Sequence, residues 1–244
     1  LAARAAYLFG RAHFDLGEYV KSLEYGQLAK ELLSETAPAG QRAAILTLLC
    51  DTHYNLGGND KAIPECLEAL RTYDDQGDQR GQSTVLNTLG TIYLDLNQYN
   101  KSRRYFFEAL EMAREIQSWP SIANSLSTIG DMYLQQGEHD DALVYFDDAL
   151  NIQLQIGNLR KLSDLYLKKG QALVGLQDIS TAQGELSQGL RYAQDAQDLS
   201  LQAKALLELG KVQGAQGQQA LGIETIQESL NLAQRANARP ILLD

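Results

Sequence analysis

Long apolar stretches are missing from this sequence. No run reaches the roughly eighteen residues that a membrane-crossing helix requires, and no membrane partner is expected. Proline is scarce, with 4 among 244 residues, so little interrupts helix formation. Cysteine is scarcer: Cys50 and Cys66 are too few for a disulfide framework, and the expectation is buried free thiols in a reducing cytosol. Basic charge is also short. The 21 Lys and Arg against 31 Asp and Glu leave a formal net charge of −10. No lysine or arginine stripe exists to displace counterions, which excludes nucleic-acid binding, while an acidic surface weakly favours basic partners. The chain opens Leu1-Ala2-Ala3-Arg4, with no basic-then-apolar leader and no initiator methionine, and reads as a trimmed piece of a longer protein.

Catalytic constellations are lacking too. His13 and His53 could be imagined as a metal pair, yet equivalent rungs of neighbouring helices lie about 8–10 Å apart. Zinc needs nitrogens within about 2.1 Å plus further ligands, and no HExxH or CxxC spacing supplies them. Cys50 and Cys66 have no positive neighbour in sequence to lower a thiol pKa. Glu138, Asp140, Asp141, Asp147 and Asp148 follow a helical phase rather than the alternation of a calcium loop. Gly57-Gly58 is not followed by the Gly-Lys-Ser/Thr of a phosphate loop. The expectation is a protein that is not an enzyme, with no cofactor and no metal. Trp119, the single tryptophan, abuts Pro120 at an inter-repeat loop, where it either covers core or marks a contact surface.

What is present is repetition. Gly10, Gly90, Gly130, Gly170 and Gly210 fall on one ladder with a step of forty, interrupted only by Cys50. Gly17, Gly57, Asn97, Gly137, Gln177 and Gly217 form a second, and Ser22, Ala62, Ser102, Ala142, Ala182 and Gly222 a third. Ala29, Ala69, Ala109, Ala149, Gly189 and Ser229 form a fourth. Each unit reads as two helices. In the third unit, 83–96 places Leu86, Leu89, Gly90 and Tyr93 at helical spacing, and 99–116 does the same with Ser102, Phe106, Ala109, Leu110 and Ala113. The Gly17 and Gly57 rungs stand where a helix ends in a left-handed residue. Asn97 tolerates that backbone, whereas Gln177 predicts a looser or strained turn. Gly77-Asp78 and Gly157-Asn158 end second helices and cap the next. Pro120 and Pro240 begin first helices, where a missing N–H costs nothing, and Pro64 should loosen the first turn of its helix. Small residues let helix axes approach closely, and one unit cannot bury its apolar stripes alone.

At these residues the chain resembles the tetratricopeptide repeat family. Leu86, Leu89-Gly90, Tyr93, Ser102, Phe106 and Ala109 match its signature in the third unit, and Leu126, Ile129-Gly130, Tyr133, Ala142, Phe146 and Ala149 match it in the fourth. The outer units are looser, with His13 and His53 in the aromatic slot, Lys169 in the leucine slot, and Leu173 and Gln213 in the aromatic slot. The forty-residue unit is similar to the subgroup of kinesin light chains and of bacterial sensor and regulator modules. The resemblance implies an all-α, right-handed α-solenoid of six tandem helix-turn-helix repeats. The repeats divide at about 1–40, 41–80, 81–120, 121–160, 161–200 and 201–240, as a single array over 1–240, with 241–244 beginning a truncated seventh.

In that family the first helices line a binding groove. Carried onto this chain, the resemblance implies a partner surface containing Asp51, Tyr54, Asn55, Thr84, Asn87, Thr91, Asp95, Asn124, Ser127 and Asp131. Asparagine side chains both donate to and accept from a peptide backbone, and the aspartates favour a basic ligand. The lysine–asparagine clamp that some members use for a terminal carboxylate is not assembled, because Arg4, Arg11, Lys204 and Lys211 lie at opposite ends. The implied function is a cytoplasmic, non-catalytic scaffold for a protein or peptide. The alternative is a sensory or dimerisation module regulating an output domain (cyclase, kinase or transcription factor) outside this fragment. A homodimer would form through the apolar end begun by Pro240, Ile241, Leu242 and Leu243.

Overall fold

The computed structural model describes residues 1–34 and 36–237. Pro240 and the expected start of a seventh repeat, with its apolar end, lie outside the described residues. Among the described residues there are twelve helices and no strand. They are α1 (Ala2–Asp15), α2 (Tyr19–Glu31), α3 (Ala39–Asn55), α4 (Asn59–Asp75), α5 (Gln79–Asp95), α6 (Tyr99–Glu115), α7 (Trp119–Gln136), α8 (His139–Ile156), α9 (Leu159–Gly175), α10 (Ile179–Asp195), α11 (Leu199–Ala215) and α12 (Gln219–Asn237). The chain is all-α, and consecutive helices pack as hairpins. It forms two compact units, Leu1–Thr128 and Ile129–Asp244.

The ladders account for the turns. After α3, Gly57 has φ +77° and donates to Tyr54 O at 2.9 Å, while Gly58 donates to His53 O at 2.8 Å. These two bonds close the helix end on its own last carbonyls. Asn97 and Gln177 close the turns after α5 and α9 with the same pair of bonds, at φ +55° and +63°. The turn at Gln177 is therefore strained but not looser: its backbone follows the glycine rungs, and the residue bears the left-handed cost of roughly 1–2 kcal/mol. Gln117 and Gln197 do the same at the ends of second helices, which the sequence pattern did not flag. Asp78, Asn158, Asp178 and Asp198 then cap α5, α9, α10 and α11 through their side-chain oxygens. Pro120 stands in the first turn of α7, as expected, and Pro64 lies within α4, where its missing N–H withdraws one helical bond.

In the four hairpins from α5–α6 to α11–α12 the glycine ladder faces the later apolar ladder. A Cβ at Gly90 would overlap the ring of Phe106, and one at Gly130 would overlap Phe146. Gly170 stands in the same way against Leu186, and Gly210 against Ile226. The small ladders are buried: Ala62, Ser102, Ala142 and Ala182 are 0 % exposed. Serine hydroxyls tie the two helices of a hairpin together, Ser83 donating to Ala109 O at 3.0 Å and Ser163 to Gly189 O at 2.9 Å.

The cysteines correct the expectation of free thiols: Cys50 and Cys66 form a disulfide. The physical reason lies in the register. Cys50 occupies the glycine rung of α3 and Cys66 the ring rung of α4, the two places that meet in every well-formed hairpin of the chain. Their separation of 16 is that of Gly90 from Phe106 and of Gly130 from Phe146. Two thiols at these positions are brought face to face by the fold itself, with their Cα atoms 5.3 Å apart, within the span a disulfide bridges.

Candidate partner-binding surface

In the first unit, α1, α3, α5 and the start of α7 present their rungs side by side, and the polar groups on them interlock. Asp51 on α3 accepts from Thr88 Oγ1 on α5 at 3.0 Å. Tyr54 donates to Asp95 Oδ2 at 2.6 Å. Asn87 on α5 is buried: its Nδ2 donates to Ser83 O and to Ser125 Oγ, both at 3.0 Å, and its Oδ1 accepts from Thr128 Oγ1 at 3.0 Å. The offsets carry information. Asp51–Thr88 spans 37 residues, and Tyr54–Asp95 and Asn87–Thr128 span 41, so the bonded partner lies near, but not on, the forty-residue rung.

The expected site residues thus fall into distinct groups. Asn87 is buried and binds α5 to α7. Asp51 and Tyr54 are half-buried and bonded across to α5, Asp51 to Thr88 and Tyr54 to Asp95. Thr84, Asn55 and Asp95 are exposed, although Asn55 donates back to Asp51 O of its own helix at 2.7 Å. Thr91 is half-buried and donates to Asn87 O. Asn124 and Ser127 are half-buried on α7, and Asn124 makes no side-chain hydrogen bond among the described residues. Asp131 belongs to the second unit, where Lys168 Nζ reaches it at 2.8 Å and reaches Asp164 at 3.0 Å. Burial works against the Lys168 ammonium, but Asp131 and Asp164 together raise its pKa.

Sequence reasoning missed the rung two residues before the glycine. Thr88, Thr128 and Lys168 are polar there, where Leu8 and Leu48 are not, and this change along one ladder was the available signal. It also missed a cavity of about 270 Å³ in the first unit, lined by Tyr7, Arg11, Thr47, Tyr73, Arg80 and Thr84 among others. Tyr73 fits there because its neighbour is Gly81, whose Cβ, if present, would overlap the ring. Trp119 is 61 % exposed and does not cover core; it lines an open depression with Pro120 and Arg80.

The electrostatics of the wall are set by burial. Burial pushes the Asp51 carboxyl up to about 6, against the hydrogen bond from Thr88 and the charge of Arg11. Burial, then the hydrogen bond to Asp95, pushes the Tyr54 phenol up, so it stays a donor. The sign for stability follows. Between about pH 4 and 6 the folded chain holds the Asp51 proton more tightly than the unfolded chain, so stability falls as pH rises through that window. Asp51→Asn, which can still accept from Thr88, is expected to raise unfolding free energy by roughly 1–3 kcal/mol at pH 7.5 and to leave it unchanged at pH 4. Denaturant unfolding at the two pH values measures this.

His13 and His53 are engaged inside their hairpins. His13 stacks on Tyr25 at 5.3 Å and its Nδ1 lies 2.7 Å from Glu18, while the Nδ1 of His53 lies 2.6 Å from Glu65. The equivalent rungs of later hairpins hold Tyr93 on Tyr105 at 5.5 Å and Tyr133 on Tyr145 at 5.3 Å. In the acidic run, Asp147 pairs with Lys169 Nζ at 2.7 Å, which also reaches Glu185 at 3.1 Å. Among the described residues no helix is long and apolar enough to cross a membrane.

Comparison with known proteins fits this geometry. Residues 41–115, and overlapping them 87–157, match the tetratricopeptide repeat family. No curated protein matches the sequence. Among solved structures, a Rap protein complexed with competence and sporulation factor is similar with a TM-score of 0.78 and 13 % identity, over 96 % of this chain and 76 % of that one. Aspartyl phosphate phosphatase F from Bacillus subtilis is similar with a TM-score of 0.72 and 16 % identity, over 95 % and 71 %. The signal transduction ATPase with numerous domains from Pyrococcus horikoshii, which carries a tetratricopeptide repeat sensor, is similar with a TM-score of 0.70 and 20 % identity, over 93 % of this chain and 35 % of that one. At these identities the likeness to solved structures concerns the fold. Residues 41–157 are therefore tetratricopeptide repeats, and the chain that carries them has the tetratricopeptide-repeat fold.

Proposed function

We propose that this protein is a non-catalytic scaffold that captures a protein or peptide segment on the first-helix wall of its first unit. The observation that carries the reading is the wall itself. Asp51, Tyr54, Thr88 and Asp95 are fixed by bonds between α3 and α5, while exposed Thr84 and Asn55 stand beside them on the same two helices. Groups held in place lose little entropy when a ligand arrives. Hydroxyl and amide groups can pair with a peptide backbone, and the part-open carboxylates of Asp51 and Asp95 favour basic side chains. The solved complex of a similar Rap conjugation gene regulator with the Phr* peptide supports a peptide as the occupant. The division into six repeats of one array is part of this reading. So is a cytoplasmic setting, which free thiols no longer support.

A second reading has its own observation. The Pyrococcus relative carries such repeats as the sensor of a longer chain, of which this chain covers 35 %. A sensory module acting on an output domain would use the same wall, its occupant then being the signal.

The test is a display screen of random peptides, followed by affinity measurement against variants. Thr84→Ala with Asn124→Ala is expected to weaken the selected peptide at least about tenfold, the loss of about 1.4 kcal/mol. Asn55→Asp should strengthen a basic peptide, and added salt should weaken it. Affinity unchanged in the double variant would place the ligand elsewhere.

A further inference from the structure

We propose that the Cys50–Cys66 bond makes the α3–α4 hairpin a redox-responsive element within an otherwise redox-indifferent fold. The equivalent place in α5–α6 is filled by the Phe106 ring on Gly90, and the contact of Phe146 with Gly130 repeats it in the second unit. Those contacts are non-covalent and do not change with redox state. In α3–α4 both partners are cysteine, bonded to each other and 0 % exposed. They lie within a cluster that includes Leu46, Ala62, Ala69, Leu86 and Leu89.

Reduction changes the packing as well as the covalent link. A dithiol reductant delivers two electrons and two protons. The sulfur–sulfur bond breaks, two thiols form, and the reductant's own sulfurs join as its disulfide. Bonded sulfurs sit about 2.05 Å apart, whereas unbonded heavy atoms settle at about 3.5–4.0 Å. The two thiols therefore need roughly 1.5 Å more room in a cluster that is close-packed. The cross-link over a separation of 16 residues is lost at the same step. Both effects drive α3 away from α4 and leave α9 to α12 untouched. Because Cys50 directly precedes Asp51 on α3, the change reaches the partner-binding wall; that last consequence rests on the function proposed above, whereas the hairpin's response does not.

The experiment uses the whole chain, oxidised and after a dithiol, without any peptide. Reduction is expected to lower the melting temperature by about 6–12 °C. It should also speed amide hydrogen exchange across 39–75 while leaving 159–237 unchanged. Cys50→Ser with Cys66→Ser should melt at the lower temperature under both conditions. Cys50→Gly with Cys66→Phe, which installs the pair of the neighbouring hairpins, should melt identically with and without reductant. The proposal is overturned if the unreduced, denatured chain shows two titratable thiols. It is equally overturned if reduction shifts melting by less than about 2 °C, or if exchange rises alike in both regions. None of these outcomes depends on whether a peptide binds.

Discussion

Phe106→Ala is expected to cost about 3–5 kcal/mol of unfolding free energy. The ring is 1 % exposed and lies on the backbone of Gly90, with no side chain between them, so its removal leaves a cavity that rigid helix backbone cannot collapse to fill. The partner change gives the opposite fault. Gly90→Ala puts a Cβ inside the volume of the ring and is expected to cost about 1–3 kcal/mol, although alanine is favoured over glycine in a helix interior by about 0.8–1.0 kcal/mol. Combining the two should cost less than the sum, by at least about 0.5 kcal/mol, because the new methyl occupies space the ring has left. Denaturant unfolding of the four proteins decides it. A stabilising Gly90→Ala would mean that glycine serves only backbone flexibility there, and the packing account of the ladder would fail.

Asn87→Ala is expected to lower stability by about 2 kcal/mol, more than any other substitution along the first-unit wall. Its amide bonds α5 to Ser125 and Thr128 of α7, and its removal strands Ser125 Oγ in a place of no exposure. Asn124→Ala, by contrast, breaks no side-chain bond among the described residues and should stay within about 0.5 kcal/mol of the parent. Thermal or denaturant unfolding separates the two asparagines. Equal, small effects would show that Asn87 is not a structural strut and would return it to the ligand surface.

That pair of asparagines shows what a sequence can and cannot disclose about this fold. The forty-residue ladders report which face of each helix is small, apolar or polar, because burial repeats with the repeat. From them the helix boundaries and the left-handed turns follow, and the structure agrees to within a few residues at helix starts such as Gln79; the ring-on-glycine contacts emerge only in the structure. The ladders do not report which polar side chains bond across neighbouring first helices, because those contacts fall 37, 38 or 41 residues apart, off the rung. Asn87 and Thr84 therefore looked alike in sequence, yet one is buried between helices and the other exposed. The cysteines were misread for a related reason. Cys50 stands on the glycine ladder, and Cys66 follows it at the separation that joins Gly90 to Phe106; that shared separation across the hairpin is the signal a single ladder does not show. Lys169 is a further case: an apolar rung holds a lysine whose charge is met by Asp147 and Glu185 from two different hairpin positions, and no single ladder encodes that.

The central proposal is that the partner surface lies on the first helices of the first unit and not on its second helices. Hydrogen exchange of the chain with and without a peptide selected by display measures this directly. The account predicts slowed exchange confined to α3, α5 and the start of α7 in the first unit, with α4 and α6 unaffected. Protection concentrated on α4 and α6, with the first helices unchanged, would contradict it.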